Sequence, residues 1–262
     1  MNNILRKIKK SLLFWGFDPR IFIYNLVGFP RYFKDYRSFR KITKDTENIK
    51  FGKRYPVLGD KYKPSGNLAD HYFYQDLYVA NRIFTNGAIR HVDIGSRIDG
   101  FVAHVASFRE IEVFDIRPLT FKIPNVKFIQ ADFMDDKWIL DDFADSISCL
   151  HALEHFGLGR YGDPLNPDGH ILGLQKIHKM LKQDGKFYFS SPIGPLRVEF
   201  NAHRVFSVSY LLDLFESMFK LDFFSYIDDK KMMHINVPLT KDRIQTNFDC
   251  NFGCGIFELT KI

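Results

Sequence analysis

The 262-residue sequence is poor in cysteine, in long apolar runs and in low-complexity tracts. Three cysteines, Cys149, Cys250 and Cys254, cannot build a disulfide framework. The expected compartment is therefore reducing and the fold must rest on its core. The apolar runs at residues 12–17 and 21–30 are shorter than the roughly 20 residues a membrane-spanning helix requires. Asp18, Pro19 and Arg20 close the first run without a small-residue cleavage site, which argues against a signal peptide. There is no Gly-X-Y period, and 45% apolar residues exclude a disordered chain. A chain this long buries about 70–75% of its unfolded surface, so its core needs no staples. Phenylalanine is abundant, at 28 residues.

Charge is uneven. The net charge is +6, yet residues 1–50 hold 12 Lys and Arg against 4 Asp and Glu, so the remaining 212 residues carry 25 against 27. A nucleic-acid enzyme spreads its basic surface over the body, so no nucleic-acid partner is expected. Ile4, Leu5, Ile8, Leu12 and Trp15 recur at helical spacing, with Arg6, Lys7, Lys9 and Lys10 between them. Such a helix either packs its stripe on the domain or lies on an anionic membrane through residues 1–17. The expected location is cytoplasmic, with peripheral attachment at the inner membrane surface as the variant.

Residues 1–70 read as a basic arm and connecting loop, and residues 71–262 as one domain. In the second part, strands are expected at residues 90–94, 111–116, 126–131, 146–150, 186–191, 221–227 and 255–260. Helices are expected at 72–84, 100–108, 171–181 and 207–219. Alternation of this kind makes an α/β, Rossmann-like, doubly wound parallel sheet. The last two strands lack a helix between them, which suggests antiparallel pairing at the sheet edge. Ligands of such sheets bind beyond the carboxyl ends of the strands.

The first strand runs into His91-Val-Asp-Ile-Gly-Ser-Arg-Ile-Asp-Gly100. A phosphate loop needs Gly-Lys-Ser/Thr, and Phe101 and Val102 follow Gly100 instead. A dinucleotide fingerprint needs a second glycine where Arg97 stands. A nucleoside without a pyrophosphate relaxes that demand, and Gly95 still permits close backbone approach. Asp115, ending the second strand, suits a ribose diol. Asp132 can accept an adenine amino group, and Phe133 can face the ring.

The series Val-Asp-Ile-Gly-Ser (92–96), Val-Phe-Asp-Ile-Arg (113–117), Ile-Gln-Ala-Asp-Phe (129–133), Leu-His-Ala-Leu-Glu-His (150–155) and Met-Leu-Lys-Gln-Asp-Gly-Lys-Phe-Tyr-Phe (180–189) resembles the class I S-adenosylmethionine-dependent methyltransferases over residues 70–262. The resemblance implies a seven-stranded sheet with its last strand antiparallel, and S-adenosylmethionine as cofactor. It implies Asp93, Gly95 and Ser96 near the methionine part, Asp115 on the ribose, Asp132 and Phe133 by the adenine, and His151 between cofactor and substrate. Arg97 and Asp99 stand where the family carries glycines. Residues 71–77, 93–107 and 155–164 together are similar to a poorly characterised methyltransferase-like branch, some of whose members are similar to proteins of surface-glycan biosynthesis.

Methyl transfer to a hydroxyl needs alignment and a base. Residues 150–170, LHALEHFGLGRYGDPLNPDGH, are the densest polar region. We read them as a substrate lid, with Gly157, Gly159 and Gly162 giving mobility. His155 is the first candidate base and His151 the second; the competing reading of each is a structural histidine. Arg160, Tyr161, His203 and Arg204 are candidates to hold an anionic or sugar acceptor, and Gln75 to reach the cofactor's amino-acid end. No CxxC pair or EF-hand spacing occurs, and Ala152 stands where the zinc-protease pattern needs Glu, so no metal is expected. No Asn/Asp-Pro-Pro-Tyr/Phe motif follows the fourth strand, which favours oxygen over nitrogen as acceptor. The expected activity is O-methylation of a free or lipid-linked sugar or glycan intermediate in cell-surface polysaccharide biosynthesis. The alternative is a catalytically inactive methyltransferase-fold scaffold docked to a membrane.

Overall fold

The computed structural model describes residues 3–42, 52–62, 71–135 and 140–262. Residue 51 and residues 63–70 of the expected connecting loop lie outside the described residues, as do the side chains of Ile4, Leu5, Arg6, Lys9 and Lys10. The chain divides into two compact units, Met1–Asn67 and Leu68–Ile262.

The first unit contains α1 (Asn3–Phe14) and α2 (Pro19–Ile42). The second opens with α3 (His71–Asn86), then β1 (His91–Ile94), a π-type turn at Ile98–Val102 and α4 (Ala103–Ala106). Next come β2 (Ile111–Asp115), β3 (Val126–Gln130), β4 (Ala144–Leu150), α5 (Gly169–Met180) and β5 (Leu181–Ile193). A hairpin of β6 (Arg197–Glu199) and β7 (His203–Val205) leads to α6 (Val208–Phe215), capped by Ser207 accepting from the Tyr210 amide. The chain ends with β8 (Phe219–Ile227), β9 (Met233–His234), α7 (Lys241–Gln245) and β10 (Gly253–Lys261).

The sheet order is β3-β2-β1-β4-β5-β10-β8-β9. The fold is the expected α/β Rossmann-like one, with two corrections. There are eight strands, because β9 adds a two-residue edge on β8. The antiparallel last strand is not at the edge: β10 lies between β5 and β8, antiparallel to both. Its residues from Gly253 to Leu259 are all buried, the one charge among them, Glu258, being paired with Arg82 at 2.7 Å.

Alternation along the strands feeds two cores. Phe187, Phe189 and Phe257 join Leu174 and Ile177 of α5 and Leu211 and Phe215 of α6. Tyr188 and Ile256, one residue out of phase, join Val79 and Ile83 of α3 and Phe101 and Val105. The phenylalanine excess is partly explained here: Phe187, Phe189, Phe215, Phe219, Phe224, Phe248 and Phe257 form one chain of rings with centroids 4.8–6.2 Å apart.

Candidate active site

The β1 turn is organised from within. Gly95 has φ +72°, and a Cβ there would fall 2.9 Å from Ala152 Cβ, so only glycine brings the backbone this close to the β4 end. Asp93 Oδ1 accepts from Ser96 Oγ (2.7 Å) and Ser148 Oγ (2.6 Å), and Oδ2 accepts from the Ser96 amide (3.0 Å). Burial pushes its carboxyl up to about 7. Ser96 Oγ in turn accepts from the Leu150 amide at 3.2 Å. The expected cofactor contacts of Asp93 and Ser96 thus give way to an internal role that fixes the turn. Gln75 is likewise internal: its Oε1 accepts from Ser190 Oγ at 2.6 Å and its Nε2 donates to Asp76 at 2.9 Å. Arg97 and Asp99 pair with each other at 2.9 Å on the rim.

Two cavities open beyond the strand ends. A narrow hollow of about 60 Å³ is lined by Gly95, Asp115, Ala131, Asp132, Phe133 and Met134. A wider one of about 770 Å³ is lined by Arg97, Glu154, Arg160, His203, Lys231 and Phe252, among others. They share Gly95, Asp115, Arg117, His151, His155 and Tyr161. The strand-end residues fit an adenine nucleoside: a glycine for close approach, carboxylates after β2 and β3, and apolar walls. Phe133 also packs edge-on against Phe114 at 6.2 Å. One group stands in the way. Arg117 forks onto Asp115, with Nε to Oδ1 at 2.9 Å and Nη2 to Oδ2 at 2.5 Å. Its guanidinium lies over the Tyr161 ring at 4.8 Å, and Arg160 lies 5.1 Å from the same ring.

The β4 end carries the acid–base groups. His151 has φ +49°, a left-handed conformation that costs a non-glycine residue about 1–3 kcal/mol. It is held by a ring stack on His71 at 4.5 Å, by Nδ1 to Glu154 Oε1 at 2.9 Å and by Nε2 to Cys254 Sγ at 3.3 Å. Both ring nitrogens are engaged, so His151 is not the free base the sequence allowed. His155 is different. Its Nδ1 donates to the Ala202 carbonyl at 2.7 Å, which leaves the Nε2 lone pair available. Nε2 lies 3.8 Å from Glu154 Oε1. Glu154 is 1% exposed, and its Oε2 has no hydrogen-bond partner among the described residues. Burial drives its carboxyl up to about 7, opposed chiefly by the charge of His155. The sequence placed Glu154 in the right region without giving it a role. Among the described residues no cluster of His, Cys, Asp and Glu has metal-binding geometry.

The loop after His155 is not built for mobility. Asp163 accepts from the amides of Gly157 (2.8 Å), Gly159 (3.1 Å) and Tyr161 (3.1 Å). From the other side Arg204, 5% exposed, donates to the carbonyls of Phe156 (2.6 Å), Pro167 (3.0 Å), Glu154 (3.3 Å) and Asn166 (3.5 Å). Arg204 is therefore a clamp on the loop rather than an acceptor-binding residue. The β6–β7 hairpin that carries it also puts His203 on the cavity wall, 3.2 Å from Glu199. Gly157 has φ +77°, and a Cβ there would meet the Asn166 carbonyl oxygen at 1.9 Å. Gly157→Ala is expected to destabilise the protein by about 2 kcal/mol or more, read as a lowered denaturation midpoint.

A family model described as Caenorhabditis protein of unknown function, DUF268, matches residues 120–252. The chain belongs to the DUF268 family. The match takes in β3, β4, the clamped loop and the hairpin, and stops short of β10. No curated protein matches the DUF268 chain. Among solved structures, it is similar to 1,6-didemethyltoxoflavin-N1-methyltransferase of Burkholderia thailandensis, which holds 1,6-didemethyltoxoflavin and S-adenosylhomocysteine. Identity is 15% and the TM-score 0.51, over 73% of this chain and 78% of that one. The N-methyltransferase NodS of Bradyrhizobium japonicum WM9, in complex with S-adenosylhomocysteine, is similar at 12% identity and TM-score 0.50, over 75% and 89%. The [4+2]-cyclase SpnF is similar at 14% and 0.52, over 72% and 81%. These likenesses show that the DUF268 chain has the class I S-adenosylmethionine-dependent methyltransferase fold. SpnF, by its name a cyclase, shows why the reaction must be argued from the site.

Proposed function

We propose that this chain is an S-adenosylmethionine-dependent methyltransferase acting on a hydroxyl of a free or lipid-linked sugar or glycan intermediate in cell-surface polysaccharide biosynthesis. The observation that carries this reading is His155, with Nε2 available, beside a buried carboxylate on the wall that joins the two cavities. When bound, the cofactor supplies an electrophilic methyl group. Asp115 would hold the ribose hydroxyls with Arg117 displaced from it, and Asp132 would take the adenine amino group. His155 Nε2 takes the proton of the acceptor hydroxyl, and Glu154 answers the resulting imidazolium charge. Arg160, Tyr161 and His203 line the acceptor side. The histidine base and the absence of an Asn/Asp-Pro-Pro motif support oxygen as the acceptor atom.

Calorimetric titration with S-adenosylhomocysteine tests the cofactor site. Asp115→Ala is expected to weaken binding about tenfold or more, the loss of charge-assisted hydrogen bonds worth about 1.5–3 kcal/mol. Arg117→Ala, which frees Asp115, is expected to tighten it. The Arg117–Asp115 pair also favours the scaffold reading, and absence of binding in both wild type and Arg117→Ala would establish that reading instead. Transfer of labelled methyl to a screen of nucleotide sugars and glycans, lost in His155→Ala, tests the acceptor class.

A further inference from the structure

The N-terminal unit, taken by itself, carries a large apolar surface. On α2 Gly28 is the one buried residue. Phe14 and Trp15 are 82% and 80% exposed, and residues 21–24, Leu26, Val27 and Phe29 are exposed in succession. Asn25 alone interrupts residues 21–29, so this half of α2 is apolar around its whole circumference. A helix apolar on all sides needs an apolar medium on all sides, and exposed patches of this kind mark an interaction site. No helix of the described residues is long and apolar enough to cross a membrane.

Charge names the occupant. Residues 3–42 hold ten Lys and Arg against two Asp. One of the two, Asp18, is answered locally by Arg20 at 3.2 Å. Lys7 is exposed on α1, and Lys34, Arg37, Arg40 and Lys41 are exposed on α2 beyond Pro30. Tyr32, Phe33, Tyr36 and Phe39 are interleaved with these charges. The sequence therefore runs from basic, through two apolar stretches, residues 12–17 and 21–30, parted by the Asp18–Arg20 pair, to basic and aromatic. That is the arrangement of a segment whose apolar part enters the acyl boundary while its cations and aromatic rings meet the headgroups.

We propose that α1 and α2 seat this protein on an anionic lipid bilayer, with residues 14–17 and 21–29 in the outer acyl region and the basic positions, Arg20 among them, at the lipid phosphates. The surface is larger than the residues 1–17 that the sequence pointed to, and its centre is α2. The proposal is independent of the methyl-transfer reading.

The full chain is mixed with vesicles of phosphatidylcholine alone, or with about 30% phosphatidylglycerol, and bound protein is measured by flotation. Binding to the anionic vesicles is expected to exceed binding to neutral ones roughly tenfold, and to weaken in about 0.5 M salt. In a Trp138→Phe background, Trp15 becomes the single tryptophan, and its emission is expected to shift to the blue on anionic vesicles. Phe22→Ser/Val27→Ser is expected to lower binding roughly tenfold with unchanged thermal unfolding of the second unit. Equal binding to neutral vesicles, or no flotation with either, overturns the proposal. So does self-association without lipid that the same double substitution abolishes, which would make the apolar face a contact between copies of the chain.

Discussion

Replacing His155 with alanine is expected to slow methyl transfer by about 10²–10⁴-fold, the usual contribution of a positioned general base. The pH profile separates this from mere loss of packing. Burial holds the His155 imidazole below its ordinary value, so the ring is neutral and able to accept a proton over most of the neutral range. Glu154, pushed up to about 7, is uncharged below that pH and anionic above it. Only the anion stabilises the imidazolium formed when the acceptor loses its proton. Turnover should therefore rise with pH through about 7. Glu154, His151 and His155 lie within 3.8 Å of one another in sequence of contact, so the limb belongs to the cluster rather than to one group. Glu154→Gln keeps the shape but removes the titration; it is expected to lower the plateau and flatten that limb, with the affinity for S-adenosylhomocysteine preserved. A limb that persists unchanged in Glu154→Gln would separate Glu154 from the proton transfer. Loss of turnover in His151→Asn with an unshifted profile would fit its place as a positioning residue, since its own nitrogens already have partners.

How far the site was legible follows from what each residue depends on. Gly95, Asp115 and Asp132 end apolar strands, so their place at the carboxyl edge follows from local order alone. Gln75 carried a readable warning: it shares its helical stripe with Val79 and Ile83, at i+4 and i+8, and all three are buried. Asp93 and Ser96 read as cofactor residues because their partners Ser148 and Leu150 come from β4, more than fifty residues on. Arg117 follows its acid by two residues and has no role in the sequence pattern; the fold shows that it covers the carboxylate. Glu154 reads as a loop residue because its burial depends on the hairpin at residues 197–205, whose Arg204 and Ala202 bind the backbone and side chains around it. The same long-range contacts account for the loop glycines. Composition alone reads three glycines as freedom, whereas positive φ and the Asn166 carbonyl beside Gly157 show that they permit one fixed path. The position of β10 is a further case: its burial on both faces is a property of the sheet, and no local turn signal announces it.

Arg204 supplies the sharpest contrast between a residue that binds an acceptor and one that builds the place for it. Its guanidinium is buried, and its hydrogen bonds go to backbone carbonyls of the loop from Glu154 to Pro167. Arg204→Met keeps much of the volume and removes the side-chain donor from the carbonyls of Glu154, Phe156 and Pro167, while Asn166 keeps the Gly169 amide. At about 1–3 kcal/mol for an orphaned buried group, partly recovered by water, the expected loss is about 2–4 kcal/mol. The loss should be local first. Amide exchange at Gly157, Gly159 and Tyr161 is expected to accelerate, because the loop then keeps Asp163 and its own backbone bonds but loses the guanidinium clamp. Strands β1 and β4 should keep their protection until global unfolding. Arg204→Lys retains the charge, but its donors sit on one nitrogen and cannot span the carbonyls that Nη1 and Nη2 reach, so it should resemble the methionine variant rather than the wild type. A side chain that merely held the acceptor would behave in the opposite way: KM would rise, the lysine would recover part of it, and the loop amides would stay protected. The two patterns do not overlap, and the choice between them decides whether the wall of the acceptor cavity is held from inside the protein or shaped by the acceptor itself.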